Sequence, residues 1–141
     1  MSKIIYKIKE ITIDEVLPFR QKVMWPDKPI DYVKLTDDHK AKHFGLVVND
    51  QVITIISLFY NNDKVQFRKF ATLIEFQGKG YGSILLKKIL NMLKQENITK
   101  VWCNARKEKT SFYKRFNLDT TDQEFTKGNI DYIIMERSFN L

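Results

Sequence analysis

The segment Gln77-Gly78-Lys79-Gly80-Tyr81-Gly82-Ser83 lies between an apolar, strand-like run that ends near Leu73 and a strongly amphipathic helix predicted from Ile84. Its glycines permit positive φ and carry no Cβ, so successive backbone N–H groups can point at one site. The helix that follows adds unpaired N–H groups and the positive end of its dipole. The segment therefore predicts an anion-binding loop, with a phosphate as the best-suited ligand.

Two familiar phosphate-binding patterns do not fit this loop. The dinucleotide pattern G-x-G-x-x-G needs glycine where Ser83 stands, and an acid at the end of the next strand, which reads Val101-Trp102-Cys103-Asn104. The spacing of a P-loop is also absent. The pattern that fits is Gln-x-x-Gly-x-Gly, read as Gln77, Gly80 and Gly82. It resembles the pyrophosphate loop of the GNAT superfamily of N-acetyltransferases. The alternative is a glycine-rich turn that only starts a helix.

Length and composition predict one domain covering residues 1–141. With 43% hydrophobic residues, a chain of 141 residues can bury a substantial core. No apolar run approaches membrane-spanning length, and the first residues alternate charged with apolar side chains, unlike a signal peptide. A single cysteine, Cys103, excludes an internal disulfide and suits a reducing compartment. We therefore expect a cytoplasmic protein.

The positive charge is concentrated around the glycine loop. Residues 64–115 contain 13 lysines and arginines against three acids, in a chain with net charge +7. This distribution favours an anionic ligand such as coenzyme A. Aromatic and basic residues also interleave at 66–70 and 112–116, as in nucleic-acid binders. Because Phe67 and Phe112 fall on core-facing positions, we rank that function lower and expect neither a nucleic-acid nor a membrane partner.

N-acetyltransferases transfer an acetyl group to an amine acceptor, and the sequence indicates the binding site for this acceptor less clearly. Residues 27–63 hold six aspartates against four lysines, an acidic balance that predicts a cationic amine as acceptor. The expected acceptor is a small-molecule or peptide amine whose identity the sequence does not encode. The oligomeric state is left open, with a homodimer as one alternative.

Hydrophobic periodicity and turn residues predict the order β, α, irregular, β, β, β, α, β, α, β, β. Because Pro18 should lie in the first turn of its helix, we favour Asp14 over Thr12 as the N-cap. The predicted segments are a strand at 3–9, a helix from Asp14 to Pro26, an irregular stretch to Asp38, strands at 43–48, 51–60 and 65–73, a helix at 84–96, a strand at 100–104, a helix at 110–116 and strands at 124–127 and 130–136.

This order is also similar to the GNAT fold. A right-handed crossover makes the strand at Val101 parallel to the one before the glycine loop. We expect an α/β (α+β) domain with a mixed, mostly antiparallel sheet of about seven strands, flanked by helices. The resemblance implies a V-shaped splay between the strands that end near Leu73 and Asn104, with the pantetheine arm of acetyl-CoA lying between them.

A second block, Asn104-Ala105-Arg106 followed by Ser111-Phe112-Tyr113, resembles the family pattern ARxxxxxFYxxxGF. Asn117 and Leu118 stand where glycine and phenylalanine are usual, a mild departure because asparagine tolerates the left-handed C-cap. The resemblance implies that Tyr113 lies close to the coenzyme A sulfur. A phenol can protonate a departing thiolate and is not ionised at neutral pH, so Tyr113 is the candidate general acid. Its alternative is an aromatic packed on the sheet.

Further site residues follow from the resemblance. It implies that main-chain N–H groups of Phe70, Ala71 and Thr72 polarise the thioester carbonyl and pair with pantetheine, and that the amides of residues 77–83 hold the pyrophosphate. Asn104 is a candidate side-chain contact to pantetheine. The predicted activity is acetyl-CoA-dependent transfer of an acetyl group to a primary amine by direct attack in a ternary complex. The alternative is a non-catalytic acyl-CoA-binding regulatory module.

The general base is the least defined part of the site. The start of the strand before the loop lacks the glutamate found in many family members, which leaves His43, Asp63, Glu75 or water. No metal site is predicted, because His39 and His43 have no third ligand nearby. Cys103 sits among apolar neighbours and is expected to be an inert thiol, which disfavours a covalent acyl-enzyme. The use of acyl groups other than acetyl is left open.

Overall fold

The computed structural model describes residues 5–139, which form three helices and seven strands. The strands are β1 (Tyr6–Ile11), β2 (Lys42–Val48), β3 (Gln51–Asn61), β4 (Lys64–Thr72), β5 (Lys100–Arg106), β6 (Asp119–Lys127) and β7 (Ile130–Ser138). The helices are α1 (Ile13–Met24), α2 (Tyr81–Gln95) and α3 (Thr110–Lys114). No helix in this range is long and apolar enough to cross a membrane.

All seven strands belong to one sheet with the order β1-β2-β3-β4-β5-β7-β6, and only the β4–β5 pair is parallel. The predicted mixed, mostly antiparallel sheet flanked by helices is therefore confirmed. The first strand, predicted at 3–9, begins at Tyr6; Lys3 and Ile4 lie outside the described residues.

Tight turns join the antiparallel pairs where asparagine, aspartate or glycine accepts a positive φ. Asn49 and Asp50 have φ of 49° and 68° between β2 and β3, and Gly128 and Asn129 have 58° and 64° between β6 and β7. Two consecutive left-handed residues match the right-handed twist of a hairpin. Each turn therefore joins two antiparallel strands as a hairpin, although β6 begins at Asp119 and not at the predicted 124.

The N-terminus of α1 differs from the prediction. Thr12, not Asp14, is the N-cap: its Oγ1 accepts from the Glu15 backbone N–H at 3.3 Å, and Glu15 Oε1 accepts from the Thr12 N–H at 3.2 Å. This capping box satisfies two N–H groups that would otherwise lack partners. Pro18 consequently lies inside the helix, where its exposed ring and one lost backbone hydrogen bond are tolerated.

The second helix begins earlier than predicted and ends as predicted. Its N-cap is Gly80, so the glycine loop runs directly into the first turn, whereas the apolar stripe used for the prediction starts only at Ile84. At the other end Asn97 has φ 63°, and the Ile98 N–H donates to the Leu93 carbonyl at 3.1 Å. This is the Schellman arrangement that terminates a helix.

The two faces of the sheet carry different helices. On one, Ser57 of β3 bonds to Arg20 of α1, and we call this the α1 face. On the other, Phe70 of β4 lies beside Gly82 of α2, and we call this the α2 face. Directly opposed residues share a face, so Arg68, which lies opposite Ser57, belongs to the α1 face. The helix α3 packs on the α2 face, where Phe112 lies beside Phe70.

The parallel strands separate after a short pairing. They pair only at Lys64–Lys100, Val65–Val101 and Gln66–Trp102, although β4 continues to Thr72 and β5 to Arg106. Beyond Gln66 the two strands diverge. The predicted V-shaped splay is confirmed, and its open end lies where β4 leads into the glycine loop.

Candidate active site

The splay leaves two strand edges facing each other without a partner. β4 is paired with β3 on its other side, and β5 with β7, so the edges toward the gap carry free backbone N–H and C=O groups. Phe70, Ala71 and Thr72 lie on the β4 edge, and Asn104 lies exposed on β5. An extended chain bearing amides can add to such edges by strand-like hydrogen bonding.

A β-bulge interrupts β4 beside this edge. Ile55 pairs with Ala71 and Ser57 with Arg68, so Lys69 and Phe70 together stand opposite the single residue Ile56. Lys69 has φ 54°, a strained value for a side-chain-bearing residue. A bulge leaves backbone groups unpaired and re-aims the neighbouring side chains. The sequence carries no signal for this bulge, because lysine is not a residue that marks left-handed backbone.

Two residues of the glycine loop adopt backbone conformations that favour glycine. Gly78 and Gly80 have φ of 76° and 87°, and a Cβ at either would meet nothing within 4 Å. Gln77 ties the loop to β4, since its Nε2 donates to the Thr72 carbonyl at 2.9 Å. No side chain caps the N-terminus of α2, so the N–H groups of its first turn are available for an anion.

Glycine at position 82 is explained by close packing and not by backbone conformation. Its φ is not positive, but a Cβ there would lie 3.4 Å from Phe70 Cζ. The absence of a side chain at position 82 lets the Phe70 ring pack against the first turn of α2. The glycine thus brings β4 and α2 close together at the open end of the splay.

An aromatic cluster from α3 closes the narrow end of the splay on the α2 face. The ring centroid of Tyr113 lies 5.8 Å from that of Phe67, and Phe112 lies 6.3 Å from Phe70. Asn117, with φ 66°, ends this helix as predicted, and the Leu118 N–H donates to the Tyr113 carbonyl at 3.3 Å. The short helix therefore holds Tyr113 against both splayed strands.

The Tyr113 hydroxyl has no hydrogen-bond partner among residues 5–139. Burial raises the pKa of Tyr113, and the nearby Cys103 thiol raises it further, while Arg106 opposes the shift. The phenol is therefore protonated at neutral pH and free to donate to a group placed in the gap. Burial also raises the pKa of Cys103 to about 12, so this thiol is not a nucleophile at neutral pH.

The candidate bases lie in three different places. His43 is buried, with Nδ1 2.7 Å from Ser57 Oγ and Nε2 3.1 Å from the Asp38 carbonyl oxygen, so both ring nitrogens are engaged. Asp63 lies in the turn before β4, at the end of the strand away from the glycine loop. Glu75 is exposed in the 3-10 turn Ile74–Phe76, just before the loop. Glu75 alone of the three is both exposed and beside the loop.

A buried polar network on the α1 face was missed by the sequence reasoning. Arg20 NH1 and NH2 donate to Asp38 Oδ2 and Oδ1 at 2.8 and 2.9 Å, and NH2 donates to Ser57 Oγ at 3.0 Å. Arg20 falls on the apolar stripe of α1, four residues after Val16, and this position was the available signal for a buried charge. The network anchors the stretch between α1 and β2 to β3. Within residues 5–139 no three His, Cys, Asp or Glu side chains cluster as a metal site would require.

Comparisons with known proteins agree with this geometry. The family description "Acetyltransferase (GNAT) domain" matches residues 10–139. The uncharacterized N-acetyltransferase YitI of Bacillus subtilis (strain 168) is 24% identical, covering 94% of this chain and 95% of that protein. An acyl-CoA N-acyltransferase from Pseudomonas aeruginosa is similar in structure, with a TM-score of 0.76, 18% identity and coverage of 96% of this chain and 100% of the other.

A GNAT family acetyltransferase from Elizabethkingia anophelis, solved with acetyl-CoA bound, has a TM-score of 0.73 at 16% identity, over 95% of this chain and 98% of that one. Structural similarity at this level of identity reports the fold, whereas the family match spans nearly all of the described residues. The splayed strands, the glycine loop and that match together assign the chain to the GNAT family of N-acetyltransferases.

Proposed function

We propose that this protein transfers the acetyl group of acetyl-CoA to a primary amine by direct attack in a ternary complex. The observation that supports the proposal is that three features lie next to one another along the splay. They are the unpaired edges of β4 and β5, the glycine loop at the end of β4, and Tyr113 between the strands. Each suits one part of the cosubstrate, namely the amide-bearing arm, the phosphates and the sulfur.

The glycine loop binds the pyrophosphate in this proposal. In this proposal the amides of residues 77–83 surround the phosphates, although the Gln77 N–H itself donates to the Ile74 carbonyl at 3.2 Å. The dipole of α2 adds a positive field, and Lys79 is exposed beside the loop. Phe70, Ala71 and Thr72 on β4 pair with the pantetheine amides, and Asn104 on β5 contacts the same arm from the other side. No metal takes part.

The bulge at Lys69 and Phe70 gives the carbonyl-polarising group. An N–H left unpaired by the bulge donates to the thioester oxygen, where negative charge develops as the amine attacks. Tyr113 then donates its proton to the departing thiolate, and the proton that the attacking nitrogen loses as the amide forms restores the phenol. The burial that raises the pKa of Cys103 to about 12 would act equally on a thiolate beside it, so the pKa values of donor and acceptor shift in the same direction.

A covalent acyl-enzyme has no support in this site, because the Cys103 thiol is buried and its pKa is raised. The amine must lose a proton before it attacks, and Glu75 or water accepts it in this proposal. We do not assign this role to His43, since both of its ring nitrogens are already engaged. We also propose that the protein is cytoplasmic and that residues 1–141 form one domain.

The deciding experiment measures coenzyme A binding and acetyl-CoA consumption on the same preparation. Calorimetry with CoA tests the cofactor site, and release of free thiol is followed across a panel of amines, amino acids, polyamines and peptide N-termini. Binding with turnover supports the proposal. Binding without turnover of any amine would indicate an acyl-CoA-binding regulatory module, and no binding would contradict the cofactor site itself.

A further inference from the structure

Cations gather on the α1 face beside the bulge. Arg68 lies opposite Ser57 on that face, with its guanidinium carbon 5.6 Å from the centroid of the Phe59 ring. Lys69 occupies the bulge itself, and its side chain is partly buried. Lys127 ends β6 at the hairpin that joins β6 to β7. Arg68 and Lys69 thus place two positive charges together, and Lys127 adds to the positive field at Lys69.

Arg68 and Lys69 are adjacent at the bulge, and Arg68 lies opposite Ser57, which Arg20 contacts. Burial lowers the pKa of Lys69, and the charges of Arg68, Arg20 and Lys127 lower it further, while only Asp38 acts in the other direction. Like charges at such proximity repel each other and cost free energy. A strained lysine kept among other cations points to a role in binding, because folding gains nothing from that arrangement.

Two neighbouring acids are already paired with cations. Asp38 is bound by Arg20 and Glu124 pairs with Lys107, whereas Asp131 accepts only a hydrogen bond from the neutral Thr126 hydroxyl, at 2.7 Å. Among residues 5–139, neither Lys69 nor Arg68 nor Lys127 forms an ion pair within 4.0 Å. The region therefore presents uncompensated positive charge.

The cosubstrate does not account for this charge. In the proposed function the phosphates of acetyl-CoA lie at the glycine loop, and Tyr113 and Phe70 mark the cofactor side of the splay, on the α2 face. Arg68 faces the opposite side of the sheet, away from the groups that mark the cofactor side. The anion that complements this face must then belong to the acceptor.

We propose that the acceptor is an amine that also carries an anionic group, a carboxylate or a phosphate, which Lys69 binds together with Arg68 and Lys127. The proposal rests on the proposed acetyltransferase function and reverses the sign of acceptor charge expected from the sequence. The acids behind that expectation are dispersed or paired: Asp38 is held by Arg20, Asp31 forms a 2.9 Å ion pair with Lys34, and Asp63 lies at the far end of β4.

Matched amine pairs that differ in charge test the proposal. kcat/KM, expressed per unprotonated amine, is compared for β-alanine against β-alaninamide and for O-phosphoethanolamine against ethanolamine, with 1,4-diaminobutane as the cationic acceptor. A charge-assisted contact corresponds to about 10-fold to 100-fold. We expect the anionic member of at least one pair to be preferred by about 10-fold or more, with a preference that falls as salt is added.

Two variants locate the contact. Lys69→Asn removes the charge and keeps a residue that tolerates positive φ, and it should reduce the preference for the anionic amine about 10-fold or more while leaving CoA binding intact. Arg68→Gln should act in the same direction. Lys88→Gln, on the exposed side of α2, removes one charge elsewhere and should leave the preference unchanged. Thermal melts check that each variant is folded.

The outcomes separate this inference from the function on which it rests. Efficient turnover of neutral or cationic amines with no advantage for the anionic ones overturns the inference and leaves the acetyltransferase function standing. If CoA binds and no amine turns over, calorimetry of the same amines on the CoA-saturated protein decides. Tighter binding of the anionic member, lost in Lys69→Asn, supports the inference, and equal binding within a pair overturns it.

Discussion

The ring of Tyr113 contacts Phe67, with centroids 5.8 Å apart, directly beyond Gln66 and Trp102, the last pair that joins β4 to β5. A residue of α3 thus lies at the point where two parallel strands begin to separate. The hydroxyl of Tyr113 has no partner within residues 5–139, so it is available to a ligand in the gap.

Tyr113→Phe should lower kcat by about 100-fold to 10,000-fold, because it removes the proton donor for the departing thiolate and keeps the ring. The KM for acetyl-CoA should move little, and the melting temperature should hold because no hydrogen bond to another described residue is lost. Steady-state kinetics and a thermal melt measure both.

Tyr60→Phe provides the matched control for hydroxyl removal. Tyr60 donates to Glu96 at 2.9 Å, so this change should cost about 1 kcal/mol of stability and leave kcat unchanged. If Tyr113→Phe behaved like Tyr60→Phe, with lost stability and a kcat within a few-fold of the wild type, Tyr113 would be a packing residue.

The parts of the fold predicted from sequence were those encoded by local patterns. Apolar alternation and turn residues such as Asn49 and Asp50 depend on neighbouring residues only, and the element order that they predict was confirmed. The predicted N-cap of α1, Asp14, was wrong because the reciprocal hydrogen bonds of Thr12 and Glu15 offset the cost of placing Pro18 inside the helix.

Features that depend on distant residues were not predictable in this way. The β4 bulge depends on how β3 and β4 align, and the Arg20 network joins α1, the following loop and β3. The glycine loop was recognisable because its residues are contiguous, whereas the residues proposed to bind the acceptor come from separate segments.

Gly80→Asp should abolish measurable CoA binding. The new carboxylate would stand beside the N–H groups of the first turn of α2 and repel the pyrophosphate, and like-charge contacts cost several kcal/mol. Calorimetry with CoA gives the affinity, and circular dichroism checks the fold.

Two glycine variants separate charge from backbone strain. Gly80→Asn accepts the φ of 87° without a charge and should retain most of the affinity. Gly128→Asp places the same carboxylate at another open glycine with positive φ, in the β6–β7 turn, and should not affect CoA binding. Wild-type affinity in folded Gly80→Asp would exclude this loop from the cofactor site.

Cys103→Ala should leave kcat within about three-fold of the wild type, because direct transfer needs no thiol nucleophile. Cavity formation at this buried position should cost about 1 kcal/mol, measured by urea unfolding. With its pKa raised to about 12, the native thiol should also react slowly with iodoacetamide at pH 8 and rapidly in urea. Loss of turnover in folded Cys103→Ala would instead indicate an acyl-cysteine route.

Protein stability should fall as the pH falls below about 6.5, and His43 should be the cause. Burial is the largest influence on the pKa of His43 and lowers it from its ordinary value of 6.5. Ser57 donates to Nδ1 and Nε2–H donates to the Asp38 carbonyl, an arrangement that suits the neutral ring. The stabilisation is complete above pH 6.5 and is lost as the pH drops toward the folded-state pKa, because the unfolded chain then binds the extra proton.

Urea unfolding between pH 7.5 and 5.5 measures this dependence, with a slope of at most about 1.4 kcal/mol per pH unit for one proton. Asp38 does not interfere, because its pKa is lowered from 3.8 and its contribution is lost only in more acidic solution. In His43→Gln, whose amide can replace both hydrogen bonds, the slope should flatten. His39→Gln, at an exposed position, should keep the wild-type slope. An unchanged slope in His43→Gln would mean that another group drives the loss of stability.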